Sequence, residues 1–408
     1  MTASLTIDGP SLTRTALILT RTALIEGAQW LKPRVQARGE ETDSLRRLPA
    51  STLSDIRALG LNRVLQPNRF GGAETDWSTM QEVCAKVASG CGSSGWVLAQ
   101  YAIHAFLVAG WPVECQEEIW GPDPGAMLSG SLVFPAGRAK RDAGGYRVSG
   151  RWPFASGVDG CDWHMCSAML EPENAGEAPA MIMFMAPKFA YEIIDTWHVI
   201  GLRGTGSHDV KLDNAFIPAH RALTVDDTKL GASPGAKFHG SALYRVPPYP
   251  NFGFVQGGAA VGIATGMYEV YVAETRSRVA KSSGKALTDF AALQLAVAEA
   301  GACIDAARAL MASDTAEMMR LAEAGGQPTM EQRTKLRRDG AFASQLCNRA
   351  VNRLYALGGG SALYEGSVLN RYFRDSHAAN AHITMNWEVN ATSFGRVALG
   401  LPNDNPAL

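Results

Sequence analysis

The sequence has few of the features that would assign it to a membrane, a nucleic acid or an oxidising compartment. Its 408 residues carry a formal net charge of −1, so no overall field attracts a polyanion. No apolar run approaches the roughly 20 residues that a membrane-spanning helix needs, and the polar N-terminus lacks the apolar core of a secretory signal. The seven cysteines are scattered, which is typical of reduced thiols. We therefore expect a cytoplasmic protein that binds neither membrane nor nucleic acid.

Nucleotide fingerprints and metal-ligand clusters are also missing. There is no Walker motif, and in GLRGTGSHDV the third glycine of G-x-G-x-x-G is replaced by Asp209. The segment CDWHMC brings Cys161, His164 and Cys166 close together, but no second ligand pair follows and the alternation favours a strand. We therefore expect no bound metal and no NAD(P)H site of the Rossmann type.

What is present is a change of pattern along the chain, from helical to strand-like and back to helical. Residues 126–230 read as short alternating strands between turns. Apolar residues recur at helical spacing on both sides of that region. The predicted helices are Asp43–Leu59, Trp77–Ser89, Ser94–Gly110, Ala259–Ser282, Asp289–Ala324 and Met330–Ala356, with a further terminal helix. The fold class is therefore α+β, with an N-terminal helical domain (1–125), a central small β-barrel or sandwich domain (126–230), and a connecting loop with a C-terminal four-helix bundle (231–408).

Two segments have no clear place in this scheme. The connection 227–254 is rich in glycine, proline and aromatic residues and is too long for a simple loop. Its Phe238 and Tyr244, with Phe254, could line an aromatic substrate pocket, or they could simply pin the loop to the body. The exact repeat LTRTALI at 12–18 and 19–25 favours a local duplication in a terminal helix.

The order of domains is similar to that of acyl-CoA dehydrogenases, and the local motifs resemble one branch of that fold. This branch contains flavin-dependent monooxygenases of the p-hydroxyphenylacetate hydroxylase, steroid-phenol hydroxylase and dibenzothiophene monooxygenase type. The likeness runs from Leu48 to Pro402. The segments that carry it include FGGAETDW (70–77), GSSGWV (92–97), GRWPFASG (150–157), GLRGTGSHDV (201–210), RDSHAANAH (374–382) and GRVALGLP (395–402).

The resemblance implies the oxygenase component of a two-component system that hydroxylates a small aromatic substrate. Reduced FMN or FAD and O2 would be the co-substrates, acting through a flavin C4a-(hydro)peroxide. A separate NAD(P)H:flavin reductase would supply the reduced flavin, because the chain has no recognisable reductase domain. The family also implies a homotetramer with the flavin site between subunits.

The resemblance also assigns roles to individual residues. His382 would be the catalytic imidazole, which could deprotonate a phenol or hold a proton on the peroxide. Ser131 would face the substrate, with Ser129 as the fallback, and each serine could equally serve a turn. His104, on the apolar helix, would contact the substrate or be a satisfied core residue, with about equal weight.

The flavin-binding residues follow from the same motifs. Trp152 and Phe154 would form an apolar floor for the isoalloxazine ring, and Ser156 would reach its N5 edge. The remaining predicted contacts are Gly157, Thr205 and Ser207, with Arg276 directed at a flavin phosphate of a neighbouring subunit and Gly358 and Gly359 allowing a close backbone approach.

Three alternatives stay open at this stage. A sister monooxygenase that oxidises indole or a sulfur or nitrogen heteroatom would share the fold and the flavin. An acyl-CoA dehydrogenase or oxidase would need a C-terminal catalytic glutamate, and Ile383 and Thr384 occupy that neighbourhood. Glu365 lies too early in the chain to replace it. A non-catalytic scaffold with an empty pocket is the third.

Overall fold

A computed structural model describes residues 19–174, 179–280, 283–405 and 408. The first copy of the LTRTALI repeat, at 12–18, lies outside these residues. In the second copy, Thr20 caps the first helix by accepting a hydrogen bond from the Ala23 N–H. No helix within the described part of the chain is long and apolar enough to cross a membrane.

The N-terminal part is a layer of helices around one fully buried helix. The elements are α1 (Arg21–Ala37), α2 (Gly39–Leu45), α3 (Ala50–Ala58), α4 (Trp77–Ala88), α5 (Gly92–Val108) and α6 (Val113–Trp120). The helix predicted over Asp43–Leu59 is wrong, because the left-handed Arg46 (φ 55°) and Pro49 divide it into α2 and α3. The apolar helix α5 is buried on nearly all faces, as its composition predicts.

The middle of the chain forms one mainly antiparallel sheet. The strands are β1 (Leu128–Ser131), β2 (Gly137–Asp142), β3 (Gly145–Ala155), β4 (Trp163–Leu170), β5 (Ala180–Pro187), β6 (Glu192–Ile194), β7 (His208–Pro218) and β8 (Ala222–Thr224). Their order is β6-β7-β3-β2-β4-β5-β8, and β1 runs parallel to β4. The register of β3 on β7 shifts between Trp152 and Ala155, and this bulge redirects the side chains that follow Trp152.

The C-terminal part is a helical bundle. Its elements are α7 (Pro234–His239), α8 (Pro248–Ser277), α9 (Ala291–Glu323), α10 (Met330–Tyr355), α11 (Val368–Asn380) and α12 (Trp387–Ala398). The prediction of a long connecting loop over 227–254 is wrong in part, because α8 begins at Pro248 and not near Ala259. Its prolines lie in the first helical turn, where the backbone N–H has no helical partner to lose. The predicted terminal helix is two helices, and residues 381–386 form the turn between them.

Candidate active site

His382 lies in the turn between α11 and α12, where its ring keeps part of its surface accessible. Its Nδ1 is 2.8 Å from Thr384 Oγ1, and the Thr384 hydroxyl donates to Gln256 Oε1 on α8 at 3.2 Å. The Thr384 backbone N–H also approaches Nδ1, at 3.3 Å. Nδ1 is therefore engaged by Thr384, and Nε2 is the ring nitrogen that the turn leaves for a ligand.

The surroundings of His382 favour its neutral form. Burial lowers its pKa from the ordinary 6.5 to about 4, and the positive charge of Arg337 contributes in the same direction. Arg337 is itself buried and holds the turn through hydrogen bonds. Its Nε donates to Asn390 Oδ1 at 2.9 Å, and the Asn390 amide donates to Ile383 O at 3.0 Å. The imidazole is thus uncharged and held in place at neutral pH.

A chain of buried polar groups runs from the His382 ring into the sheet. The Trp96 indole, on α5, packs edge-on against His382 with ring centroids 5.6 Å apart. Its Nε1–H donates to Ser156 Oγ at 3.3 Å. Ser156 Oγ lies 2.7 Å from Ser207 Oγ, and Ser207 Oγ lies 2.7 Å from Thr205 Oγ1. Three sequence-predicted residues, Ser156, Thr205 and Ser207, therefore share one network with His382.

The loop before β7 that carries Thr205 is fastened by α11. Leu202 has a left-handed backbone (φ 50°), and its N–H donates to Asp375 Oδ1 at 2.7 Å. Arg374 Nη1 donates to Ile200 O at 2.6 Å and Nη2 to Asp43 Oδ2 at 2.9 Å. Left-handed backbone is unfavourable for leucine by about 1–2 kcal/mol. The α11 contacts supply the compensation that keeps the loop in this conformation.

The end of β3 corrects one of the predicted flavin contacts. Trp152 is fully buried in the sheet domain, where its Nε1–H donates to Ser167 O at 2.6 Å and its ring packs edge-on against Phe184. Trp152 therefore cannot serve as a flavin floor, and the bulge after it explains why. Phe154 has a left-handed backbone (φ 66°) and leaves 63% of its surface exposed beside Trp197.

Gly157 follows Ser156 in a left-handed conformation (φ 76°) that requires glycine. Its N–H donates to Thr205 O and its carbonyl accepts from the Tyr101 hydroxyl, both at 2.8 Å. A Cβ at this position would lie 2.7 Å from Val97 Cγ1. Gly157 therefore fixes the Ser156 backbone against both α5 and the Thr205 loop.

A second group of polar residues surrounds β1. Ser129 is fully buried, with its hydroxyl 2.7 Å from His164 Nδ1 and 3.1 Å from Cys161 Sγ. Because its hydroxyl is buried against these internal partners, the prediction that Ser129 contacts the substrate is wrong. The Ser131 hydroxyl donates to Pro153 O, and Ser131 stays a prediction. The His104 Nδ1–H donates to Gln100 O (2.7 Å), and burial lowers the pKa of His104 to about 4.

The predicted aromatic pocket of the connection is wrong. Phe238 and Tyr244 both pack on His239, and Phe238 also stacks under the Arg69 guanidinium. The Tyr244 hydroxyl donates to Leu65 O. Phe254 lies fully buried in α8, in the bundle core. These rings do not converge on one pocket, because Phe238 and Tyr244 pack around His239 whereas Phe254 fills the bundle core.

Arg276 and the glycine turn lie at the opposite end of the bundle from His382. Arg276 belongs to the last turn of α8. Gly253, at the start of α8, is next to Thr384 O. The helical rise over the intervening residues is about 35 Å. Gly358 and Gly359 follow α10 near the same far end, where Arg278 donates to Ser361. These residues cannot reach the His382 site of their own chain.

Comparisons with known proteins place this geometry in a family. Residues 254–387 match the family model "Acyl-CoA dehydrogenase, C-terminal domain". The chain is 34% identical over 370 residues, 88% of this chain and 90% of the relative, to an FADH(2)-dependent resorcinol hydroxylase, oxygenase component, from Rhizobium sp. (strain MTP-10005). It is 31% identical over 91% of its length to the flavin-dependent monooxygenase, oxygenase subunit HsaA, of Rhodococcus jostii (strain RHA1), covering 97% of that protein.

The chain belongs to the oxygenase components of two-component flavin-dependent monooxygenases. Solved structures agree with this assignment. The 3-HSA hydroxylase from Rhodococcus sp. RHA1 superposes with a TM-score of 0.90 at 30% identity, covering 95% of this chain and 99% of that one. XiaF from Streptomyces sp., in complex with FADH2 and glycerol, gives 0.86 at 27% identity, covering 95% and 98%. The predicted fold class and enzyme class are confirmed.

The residues of this oxygenase fit a flavin ring. Phe154 and Ile200 (76% exposed) lie on the two segments that flank the Ser156 hydroxyl chain. A flat apolar surface with one hydrogen-bonding group at its edge is what an isoalloxazine ring needs. The arrangement therefore matches the chemistry of the cofactor that the family uses.

Several residues of the site have a role that the sequence alone did not predict. Trp96 links His382 to Ser156, Thr384 and Gln256 hold the Nδ1 side of the imidazole, and Arg337 adds to the effect of burial in lowering its pKa. Only Trp96 had a local signal, because it belongs to the GSSGWV motif at the start of α5. The others are joined to the site by contacts between residues distant in the chain. The carboxylates Glu365 and Glu388 are exposed, so neither is placed as the base of an acyl-CoA dehydrogenase.

Proposed function

We propose that this oxygenase hydroxylates a phenolic substrate with reduced FMN or FAD and O2, and that His382 is its catalytic imidazole. The observation that carries the proposal is the direct contact of three groups. The neutral His382 ring lies against Trp96, and the Trp96 N–H donates to Ser156 at the exposed Phe154 surface. A proton acceptor and a flavin-edge hydroxyl are thereby held on the two sides of one indole ring.

The chemistry assigned to His382 is acceptance of the phenol proton at Nε2. A neutral imidazole can take that proton, and the resulting phenolate has more electron density at its ortho carbon. His104 is a second neutral imidazole, and with Ser131 it would orient the phenol oxygen. Reduced flavin, when bound, would supply the two electrons that activate O2, and O2 would supply the oxygen atom. A charged imidazole could not act as the base, which is why the lowered pKa of His382 matters.

The site also has to exclude water, because wet reduced flavin would pass its electrons to O2 without oxidising the substrate. Trp96, Ser156, Thr205 and Ser207 are all buried. The residues that remain exposed nearby, Phe154 and Ile200, are apolar and would be covered by the cofactor. Their burial on binding supports a closed site.

We further propose that a second copy of the chain completes the flavin site within a homotetramer. Arg276, Gly358 and Gly359 lie about 35 Å from the His382 end of their own bundle. They could hold a flavin phosphate only in a neighbouring subunit. A separate NAD(P)H:flavin reductase would deliver the reduced flavin. The buried, unpaired cysteines support a reducing compartment, and we place the protein in the cytoplasm.

The experiment that tests the function supplies photoreduced flavin and O2 with resorcinol, other phenols, indole and a thioether. Product and H2O2 are measured per flavin oxidised. We expect phenols to be hydroxylated. In His382→Asn, hydroxylation should fall by roughly 10²–10⁴-fold, the usual contribution of general base catalysis, while flavin oxidation continues.

His377→Asn is the matched control, because His377 lies in the same segment but bonds to Asn352 on α10. Its product yield should stay at the level of the unmodified protein. Equal yields from His382→Asn and the unmodified protein would remove His382 from the mechanism. Oxidation of indole or the thioether with no phenol hydroxylation would replace the phenol proposal with the heteroatom one.

A further inference from the structure

The hydroxyl groups of Thr205, Ser207 and Ser156 form a chain whose direction is fixed by the backbone carbonyl at its Thr205 end. At one end, the Thr205 hydroxyl lies 2.9 Å from Leu202 O, which can only accept. At the other end, the Trp96 indole N–H can only donate, and it does so to Ser156 Oγ at 3.3 Å. The two links between them are each 2.7 Å long.

Counting protons determines every donor in this chain. The single proton of Thr205 goes to Leu202 O, so Ser207 must donate in the link between Ser207 and Thr205. The single proton of Ser207 is then used, so Ser156 must donate in the link between Ser156 and Ser207. All these groups are buried, which excludes water as a general alternative partner.

Ser156 is therefore left with one free lone pair and no free proton. Of its two lone pairs, one accepts from Trp96, and its proton is committed to Ser207. The hydroxyl can offer only an acceptor to a ligand. A flavin differs at this point between its redox states: reduced flavin carries an N–H at N5, whereas oxidised flavin has a bare nitrogen lone pair there.

We propose that Thr205 and Ser207 are positioning residues that hold Ser156 as a pure acceptor, so that this site binds reduced flavin in preference to oxidised flavin. The proposal rests on the proposed function, because it takes the N5 edge of the flavin to lie at Ser156. Neither Thr205 nor Ser207 needs to touch the ring. Each acts through the direction of the Ser156 proton.

The test is the ratio of the dissociation constants of oxidised and reduced flavin, measured on the full-length, assembled protein. Binding of oxidised FMN and FAD is followed by fluorescence, and binding of the reduced forms by anaerobic equilibrium dialysis. In Thr205→Val, the Ser207 proton loses its acceptor and turns to Ser156, whose own proton is then free to point at N5. In Ser207→Ala, the Ser156 proton is freed directly.

Both variants should bind oxidised flavin more tightly and reduced flavin more weakly, and the ratio should fall by roughly tenfold, the effect of one buried hydrogen bond. Thr205→Ser keeps the hydroxyl and loses only a methyl group, so its ratio should match that of the unmodified protein. Ser207→Ala provides an independent reading if Thr205→Val does not fold.

The outcomes separate the two proposals. If Thr205→Val and Ser207→Ala fold and keep the ratio of the unmodified protein, the hydroxyl chain does not select the redox state and the inference is overturned, while the proposed function stands. A collapse of the ratio in Thr205→Ser would also overturn it, because packing and not the hydroxyl would then be responsible. If the unmodified protein binds neither form of flavin, the proposed function itself fails.

Discussion

Asp375 offers a test of how the site is held together that does not depend on catalysis. Its side chain is 1% exposed, and Oδ1 accepts the Leu202 N–H at 2.7 Å. Burial raises its pKa from 3.8 to about 7, and the negative charge of Asp43 adds to this effect. The Leu202 N–H and the positive charges of Arg374 and Arg371 lower the pKa of Asp375, but by less than burial and Asp43 raise it. The folded protein therefore binds the Asp375 proton more tightly than the unfolded chain does.

The size of the effect follows from that difference in pKa. A change from 3.8 to about 7 corresponds to about 4 kcal/mol in the free energy of unfolding. Because the folded pKa is the higher one, this stability is fully present below about pH 4. It is lost progressively as the pH rises to about 7. Asp375→Asn is neutral at every pH and keeps an amide oxygen for the Leu202 N–H, so it should escape this loss.

The assay is urea unfolding of both proteins between about pH 4 and about pH 8. We expect Asp375→Asn to gain about 4 kcal/mol relative to the unmodified protein across this range. Asp305→Asn is the control, because Asp305 is a largely exposed aspartate on α9 and should give a curve parallel to that of the unmodified protein. Parallel curves for Asp375→Asn would refute the reasoning, since Asp375 would then titrate as it does in the unfolded chain.

Three further predictions concern the site itself. Because the pKa of His382 is lowered to about 4, product per flavin oxidised should stay level from about pH 8 to about pH 5; a fall with a midpoint near 6.5 would contradict a buried neutral imidazole. Trp96→Phe keeps a ring against His382 and removes only the N–H that Ser156 accepts, while the Ser156 proton stays committed to Ser207. Ser156 therefore remains an acceptor, and the ratio of the dissociation constants of oxidised and reduced flavin should match that of the unmodified protein; a fall as large as that expected for Ser207→Ala would contradict this. Gly157→Ala should lower the free energy of unfolding by about 2 kcal/mol or more, because it adds a Cβ close to Val97 at a positive φ, whereas Gly360→Ala faces open space and should be nearly neutral.

The helices and their order could be predicted because their signals are local. Apolar spacing and flanking caps placed α4, α9 and α10 within two residues of their observed bounds. The start of α8 could not be predicted in this way. The segment PYPNFGF has the composition of a loop, and it becomes helical where it packs on α10, since Arg337 donates to Tyr249 O and Gly253 lies against Gly340. Tertiary contacts override local propensity in such a segment.

The sequence predicted residues of the site only where they stand in a recognisable motif. His382 and Ser156 each stand in a short segment that resembles the family. The groups that hold them in place come from elsewhere: Gln256 meets Thr384 across 128 positions of the chain, and Leu202 meets Asp375 across 173. The prediction that Trp152 contacts the flavin was wrong for a different reason. Strict alternation along β3 puts it on the same face as Phe154, and the bulge that separates them leaves no mark in the sequence.

Helix α11 explains why these distant groups form one site. Along its length, Tyr372 donates to Ser89 O at the end of α4, Arg374 to Ile200 O, and Asp375 accepts from Leu202. His382 follows directly after the helix. The Asp375 carboxyl group binds the N–H of Leu202, and the C=O of the same residue accepts the Thr205 proton. Asp375 thereby holds the residue from which the hydroxyl chain of Thr205, Ser207 and Ser156 takes its direction. If Ser156 is the acceptor for the flavin N5–H, the desolvation cost of burying Asp375 is offset by the fixed orientation that Leu202 gives to that hydroxyl.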